Sequence, residues 1–288
     1  MATILFVTAC ESPSERPSTP VDLGDAALAH PRFVWDSLPS AGFTLYITRG
    51  SYAAARASLY RDEVETALAH ALGMLGEPRY PGHLRVFVLG SREDVEAVMG
   101  TGYNGWADPA GKNVAVVARP ECRPVFRHEI MHAVSLLLWG NPLGPDRDPH
   151  PPADRKLFEQ GGWLREGIAA AAEDLYVTYS YRGMAAQWQA EGALLPLDTL
   201  VNAFYHQDDL AAYLQSGSLV QYLLEQYGRD RLRLVWRDGP SAFERAYGRS
   251  ASQLEAEWHA WLRATPASAR PATIALARGE DHCPPRRR

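Results

Sequence analysis

The chain has 288 residues, of which 46% are hydrophobic and 22% are charged, so it can bury a sizeable core as an ordinary globular protein. Its formal net charge of −5 excludes the basic character that proteins binding nucleic acids show. The sequence contains no apolar run near the roughly 20 residues that a membrane-spanning helix needs, and no repeat of solenoid length.

The first twenty residues resemble an export signal. A short apolar run, "ILFVTAC", precedes the polar "ESPSERPSTP", whose proline and serine content is typical of disordered segments. Residues 7–10 are similar to a bacterial lipobox, in which the cysteine, here Cys10, carries a lipid. A basic segment normally precedes such a run, and a start codon assigned too far downstream would explain its absence. We expect an extracytoplasmic lipoprotein anchored to a membrane through Cys10; the alternative is a cytoplasmic protein with a frayed N-terminus.

Strand and helix patterns alternate between residues 41 and 140. Residues 1–40 are interpreted as a leader and disordered tether that precede the first strand. Runs of apolar and β-branched residues predict strands at Phe43–Thr48, Leu84–Gly90 and Val114–Ala118. Apolar residues three and four apart, with end signals, predict helices from Ser51 to Leu75, from Ser91 to Met99 and from Pro124 to Trp139. The turn-rich residues 102–113 are predicted to form a loop.

Residues 141–265 carry helical patterns. A loop with five prolines occupies residues 141–162, and helices are predicted at about 163–176, 184–192 and 208–227. Two capping boxes, Ser241 with Glu244 and Ser250 with Gln253, predict two further helices, and residues 266–288 form a tail. The pattern therefore predicts an α+β fold, with an N-terminal mixed α/β sheet lobe at residues 41–140 followed by an all-helical C-terminal lobe.

The stretch "FRHEIMHAV", residues 126–134, carries the first chemical signal. Positions four apart lie on one face of a helix, so His128 and His132 can hold one metal ion with Glu129 beside it. Chance matches to this spacing need not be helical, whereas the apolar residues around it and Gly140 after it predict a buried helix. The alternative is a buried histidine pair with a structural role.

A catalytic zinc ion needs three protein ligands and one open position. The segment "GGWLREGIAAAAEDL" offers Glu166 in the first turn of the next helix, and its alanines allow that helix to approach the histidine helix closely. Taken alone, Glu166 could be only an acidic residue that the helix dipole favours. We therefore expect one Zn²⁺ ion held by His128, His132 and Glu166, with Glu159 and Glu173 as the next candidates for the third ligand.

Three motifs together resemble the gluzincin metallopeptidases, the broad group of thermolysin and aminopeptidase N. "HEIMHAV" and "WLREGIAAAAE" are similar to their two zinc-binding helices, and "AYLQSGSLVQYLLEQYG" is similar to their tyrosine-bearing segment. The resemblance covers about residues 40–265 and implies a zinc peptidase that acts on peptide or protein substrates. It also implies that Glu129 is the general base and that Tyr213 stabilises the oxyanion, while Tyr222 belongs to the core.

The resemblance also bears on substrate binding. The strand before the zinc helix is a sheet edge in gluzincins, which implies that Val114, Ala115 and Val116 pair with an extended substrate. The acid often found four residues after the glutamate ligand is Ala170 here, so Glu173 becomes a candidate for orienting a zinc histidine. The segment "GWADP" lacks the glutamate with which aminopeptidases hold a free amine. We therefore predict an endopeptidase; the alternatives are an aminopeptidase and a non-catalytic binding or assembly module that keeps the fold.

The remaining two cysteines suggest a disulfide bond. Cys122 comes just before the zinc helix, and Cys283 lies in the polar tail "GEDHCPPRRR". In an oxidising compartment a Cys122–Cys283 bond would hold that tail near the active-site helix. Because pairing cannot be deduced from sequence alone, two unpaired thiols in a cytosolic protein remain the alternative.

Overall fold

The N-terminal half is built on a five-stranded mixed β-sheet. The computed structural model describes residues 22–144, 155–176 and 178–273. The strands are β1 (Trp35–Pro39), β2 (Phe43–Thr48), β3 (Leu84–Leu89), β4 (Gly105–Ala107) and β5 (Asn113–Val117). Their order is β1-β2-β3-β5-β4, in which β2, β3 and β5 are parallel while β1 and β4 are antiparallel to their neighbours.

Helices cover both faces of this sheet. They are α1 (Leu23–Ala29), α2 (Ala57–Leu75), α3 (Arg92–Met99) and α4 (Phe126–Trp139). Val114 and Val116 of β5 belong to the core that contains α2 and α4, whereas Ala115 and Val117 belong to the core that contains α1 and α3. All four side chains are at most 1% exposed. Burial on both faces explains why β5 is a continuous apolar run, and it fixes α4 against the sheet.

The described part of the second half is mainly helical, which confirms the predicted α+β fold. Its helices are α5 (Arg155–Gln160), α6 (Gly162–Glu173), α7 (Tyr181–Ala190), α8 (Leu197–Asn202), α9 (Asp209–Tyr227), α10 (Arg229–Asp238), α11 (Phe243–Tyr247) and α12 (Ala251–Arg263). A small hairpin joins α6 to α7 through β6 (Leu175–Tyr176) and β7 (Tyr179–Ser180). Helix α6 packs against both α4 and α9 and is buried from Gly162 to Ala172, so it connects the sheet lobe to the helical lobe.

Helices α6 and α9 approach each other most closely at two glycines. A Cβ atom added to Gly167 would lie 2.9 Å from the carbonyl oxygen of Ser216, and one added to Gly217 would lie 2.8 Å from the Cβ of Ala170. Real Cβ atoms essentially never approach other atoms this closely, so neither position has room for a side chain. The alanines that we expected to permit close packing are buried, and Ala170 packs in one cluster with Leu214 of α9.

Local end signals in the sequence are confirmed by the structure. Strand β2 has the predicted bounds, α2 ends at Gly76 in the left-handed conformation, Ser91 caps α3, and Asp208 caps α9. The capping box of Ser250 with Gln253 is present at the start of α12. Each of these signals acts within one helical turn, which is why the sequence alone predicts it.

Four segments differ from the prediction. Residues 22–40 are not a tether, because α1 and β1 lie there and β1 pairs with β2. The predicted loop at residues 102–113 contains β4, and the predicted loop at residues 141–162 contains α5. The Ser241 hydroxyl donates to the carbonyl of Asp238 instead of capping a helix. Strands β1 and β4 are short, and their pairing with the neighbouring strand is a tertiary effect that their own sequences do not specify.

Two predictions about the ends of the chain fall partly outside the described residues. Cys122 is buried and disulfide-bonded. Cys10 and Cys283 lie outside the described residues, so the Cys122–Cys283 pairing and the lipidation of Cys10 stay predictions. Among the helices of the described ranges, none combines the length and the hydropathy needed to cross a membrane.

Candidate active site

Helix α4 places three polar side chains in one cleft. His128 and His132 are four residues apart, and their Nε2 atoms lie 3.1 Å from each other. Although they are polar, His132 and Glu129 are each only 8% exposed, and the rest of the helix is largely apolar. Burying three polar side chains in a helix core costs free energy unless they have partners. The predicted histidine pair is therefore present, with His132 buried and His128 half-buried.

Helix α6 supplies the third candidate ligand, Glu166. The Oε2 atom of Glu166 lies 3.1 Å from the Nε2 of His132 and 3.6 Å from the Nε2 of His128. One ligand atom from each of the three side chains falls within 4.8 Å of the other two. Two imidazole nitrogens and one carboxylate oxygen, held at this spacing, are the donor set of a catalytic zinc site. Glu159, the alternative third ligand, is turned instead toward His206, with 3.8 Å between Oε2 of Glu159 and Nε2 of His206.

Glu173 lies on the outer side of this site, next to His128. Its Oε2 atom lies 3.6 Å from the Nδ1 of His128, the nitrogen turned away from the ligand cluster, and it accepts a hydrogen bond of 2.5 Å from the Tyr181 hydroxyl. Burial opposes a charge on His128, but the carboxylates of Glu166 and Glu173 outweigh burial and raise its pKa well above the usual value. Burial likewise opposes a charge on Glu166, and the two histidines outweigh it and lower the pKa of that carboxyl. The candidate role of Glu173, proposed from the sequence, agrees with this geometry.

Glu129 lies beside the three ligands without joining them. Burial raises the pKa of its carboxyl, and the neighbouring histidines oppose this shift. Its side chain packs against Gly105 of β4, where an added Cβ would lie 2.3 Å from Oε1 of Glu129. The carboxylate therefore occupies space that only a glycine at position 105 leaves open. This position suits a group that exchanges a proton with a water in the cleft.

Tyr213 of α9 borders the same cleft. Its ring stacks beside that of His128, with ring centres 6.4 Å apart and planes inclined by 20°. Burial raises the pKa of the Tyr213 hydroxyl, and the negative charge of Glu166 adds to the effect, so the hydroxyl stays protonated as a donor. Tyr222, which lies further along α9, is 3% exposed, and its hydroxyl donates a hydrogen bond of 2.9 Å to Glu257. The assignment of Tyr222 to the core is confirmed.

The cleft has a volume of about 970 Å³ and runs along one face of α4. Its lining includes Gly105 and Trp106 from β4, His128 and His132 from α4, Glu166 from α6, and Tyr213 from α9.

The prediction that Val114, Ala115 and Val116 form the peptide-binding sheet edge is wrong. All three are fully buried and pair with β3 on one side and β4 on the other. The edge that faces the cleft is β4, which the sequence pattern did not reveal.

Other residues of the cleft were also missed. Arg165 and Phe158 line it, and Tyr205 bonds to Arg165 at its side. Arg165 directly precedes Glu166, and an arginine next to a metal ligand in an otherwise apolar helix was a signal that could have drawn attention. Nothing in the sequence relates Tyr205 to this site, because it lies forty residues further along the chain.

Part of the chain matches a known protein family. Residues 158–264 match the model of a family described as the Peptidase MA superfamily. The matched segment contains Glu166 and Tyr213, whereas the histidine helix α4 lies before it. A search of the curated proteins found no match.

Proposed function

We propose that the protein is a gluzincin-type zinc metallopeptidase that hydrolyses internal peptide bonds with Glu129 as general base, because residues 158–264 match the Peptidase MA superfamily model and the chain carries a His-His-Glu candidate zinc site. The observation that supports this most is the meeting of three ligand atoms from α4 and α6 within 4.8 Å. Two imidazoles and one carboxylate that meet at one point from two helices are the donor set that a catalytic zinc site uses.

The proposed ligands are His128, His132 and Glu166. A bound zinc ion would supply Lewis acidity, which activates water and polarises a carbonyl group. Glu129 would take a proton from the attacking water and pass it to the leaving amine, because its carboxylate lies in the cleft beside the ligands. Within the described residues the Tyr213 hydroxyl has no hydrogen-bond partner, so it is available to donate to the oxyanion that forms on the substrate.

The geometry of β4 supports endopeptidase activity. Within residues 22–144, 155–176 and 178–273, no strand pairs with the outer edge of β4, so an extended substrate can add to it by backbone hydrogen bonds. The strand offers Gly105, Trp106 and Ala107 to the cleft, and none of these residues carries a carboxylate that could pair with a free amine. A substrate that continues on both sides of the cleaved bond is therefore expected.

One variant tests the proposed chemistry. Glu129→Gln should keep the fold and the zinc content but abolish cleavage of internally quenched peptides, since glutamine is nearly isosteric and cannot accept the proton. Glu96→Gln, which removes a carboxylate from α3 outside the cleft, is the matched control and should keep full activity. Undiminished hydrolysis by Glu129→Gln would refute the mechanism, and inactivity of the wild-type protein with zinc bound would favour the non-catalytic module.

Substrate ends test the endopeptidase proposal separately. Peptides with acetylated N-termini should be cleaved at rates similar to those of their free counterparts, when both are followed by mass spectrometry. Strict dependence on a free N-terminus would make the protein an aminopeptidase, and Asp209, a carboxylate that lines the cleft beside Tyr213, would be the first residue to examine as the amine ligand.

We also propose that the protein works outside the cytoplasm, anchored through a lipid on Cys10. The disulfide bond at Cys122 supports an oxidising compartment. Intact-mass analysis of the protein expressed with its upstream region should find a chain that starts at a lipid-modified Cys10 and whose other thiols react only after reduction. An unprocessed chain with three freely alkylated cysteines would refute the proposal.

A further inference from the structure

Arg165 is a buried cation in the cleft that the proposed mechanism does not use. It is 7% exposed, lies in the first turn of α6 and directly precedes the ligand Glu166. Its Nη1 donates a hydrogen bond of 2.8 Å to the Tyr205 hydroxyl, and its guanidinium carbon lies 4.3 Å from the centre of the Phe158 ring. The rings of Phe158 and Tyr205 stack at 5.9 Å with planes inclined by 7°. Two aromatic side chains therefore hold the guanidinium in place.

The charge of Arg165 lacks an acidic partner within the described ranges of the chain. Its contacts there are the Tyr205 hydroxyl and the Phe158 ring, and its Nη2 atom is buried without a hydrogen bond. The nearest carboxylate in sequence, Glu166, faces the two histidines instead. Arg85, another largely buried arginine, shows the usual solution, because it pairs with the carboxylates of Asp22 and Asp25. A buried cation without an anion is costly, so the position of Arg165 suits an anion supplied by a ligand.

The position of Arg165 along the cleft follows from the packing of two helices. His132 lies beside Glu166 and His128 lies beside Glu173, so α4 and α6 run antiparallel. The start of α6 therefore lies next to the C-terminal half of α4, where Leu136 lines the cleft. Asn141 and Phe158 line the same region. Arg165 is thus on the side of the ligand cluster nearer the C-terminal end of α4.

We propose that Arg165 binds a carboxylate of the substrate in this part of the cleft. This inference rests on the proposed peptidase function and names the class of substrate: peptides with a carboxylate close to the cleaved bond. A guanidinium presents its N–H groups as a planar fork that matches a carboxylate and distinguishes it from an amide. The carboxylate can belong to an aspartate or glutamate side chain, or to the C-terminus of a short peptide.

Matched peptides separate these two sources. The first comparison uses pairs of peptides that carry either glutamate or glutamine at one position near the cleaved bond, and each position is tested in turn. The second comparison uses a pair of peptides with either a free or an amidated C-terminus. The wild-type protein should cleave the carboxylate member of one pair with a kcat/KM about tenfold higher or more, the size expected for hydrogen bonds to a charged group. The pair that shows the preference identifies the source.

Substitutions show whether Arg165 causes the preference. In Arg165→Gln the ratio of the two kcat/KM values should fall to about one. The matched control is Arg182→Gln, since Arg182 also contacts an aromatic ring, that of Trp261, and donates to Thr265, but lies outside the cleft lining. This control should keep the ratio of the wild-type protein. A ratio unchanged in Arg165→Gln would mean that the arginine only holds Phe158 and Tyr205, and would overturn the inference.

A binding measurement separates this inference from the peptidase proposal. Fluorescence anisotropy with the Glu129→Gln protein should show tighter binding of the carboxylate peptide, and adding Arg165→Gln should remove the difference. That result without turnover by the wild-type protein would support the carboxylate site and refute the peptidase. Turnover by the wild-type protein without any preference for the carboxylate peptides would support the peptidase and refute the carboxylate site. This last outcome is measured with the wild-type protein alone, so the inference can be refuted even if Arg165→Gln fails to fold.

Discussion

A single methyl group added at Gly105 should remove most of the activity without removing the metal. Gly105 belongs to β4, opposite the helix that carries Glu129. The Cβ of an alanine at this position would lie 2.3 Å from Oε1, 2.6 Å from Cγ and 2.7 Å from Cδ of Glu129. Three atoms of one side chain would therefore be in collision, and the backbone of β4 is held by its pairing with β5. Glu129 is the part that has to move.

The size of the effect follows from these distances. Restoring an ordinary contact of 3.4 Å from 2.3 Å moves the carboxylate by about 1 Å, and a misplacement of that size costs a reaction on the order of 10²-fold. The corresponding rise in the activation barrier is about 3 kcal/mol. Stability should change much less, because Glu129 can rotate toward the open cleft.

The assay compares kcat, zinc content and melting temperature of Gly105→Ala with those of Gly102→Ala. Gly102 lies three residues earlier, before β4 begins, and the nearest atom to a Cβ at that position is 3.6 Å away, an ordinary contact. We expect Gly105→Ala to hold zinc with a kcat about 10²-fold lower, and Gly102→Ala to behave as the wild-type protein. A normal kcat in Gly105→Ala would show that Glu129 does not act from its observed position.

Four further variants test the metal site and the two tyrosines. Glu166→Ala should lose most of the bound zinc in metal analysis, since a three-ligand site cannot spare one; full occupancy would place the third ligand elsewhere. Glu173→Gln should weaken zinc binding about 10- to 100-fold in competition titrations, because it faces the outer nitrogen of His128, and unchanged affinity would argue against that role. Tyr213→Phe should lower kcat on the order of 10²- to 10³-fold with little change in KM. Tyr222→Phe should lower the melting temperature and leave kcat unchanged, and the reverse pattern would exchange the roles of the two tyrosines.

The ligand cluster was largely predictable because its spacing is helical. His128 and His132 lie on one helix, whose period of 3.6 residues fixes their separation whatever surrounds them. Glu166 required a second helix, and the small residues that follow it indicated that this helix packs closely. The same signal indicated that the alanines, Ala170 among them, permit close packing against the histidine helix, but it did not reveal that Ala170 packs against α9.

The neighbours of each strand were not predictable in the same way. The apolar run of β5 predicts a strand, yet nothing in Val114, Ala115 or Val116 shows which strand lies beside it. Strand β4 has only three residues and follows a turn, so its own propensity is weak and its pairing with β5 decides its conformation. Arg165 and Tyr205 meet for a comparable reason, since only the fold brings together side chains forty residues apart.

The burial of α6 between α4 and α9 also governs when a newly synthesised chain can become active. Chains leave the ribosome from the N-terminus, so α4 is complete long before α6 and α9. Until Tyr227 has emerged, α6 lacks the helix against which Gly167 and Ala170 pack. The ligand Glu166 and the hydroxyl of Tyr213 are therefore fixed only after residues 126–227 are all available. The proposed hydrolytic activity would then arise only late in synthesis of the chain, so a partly synthesised chain would not cleave substrate proteins.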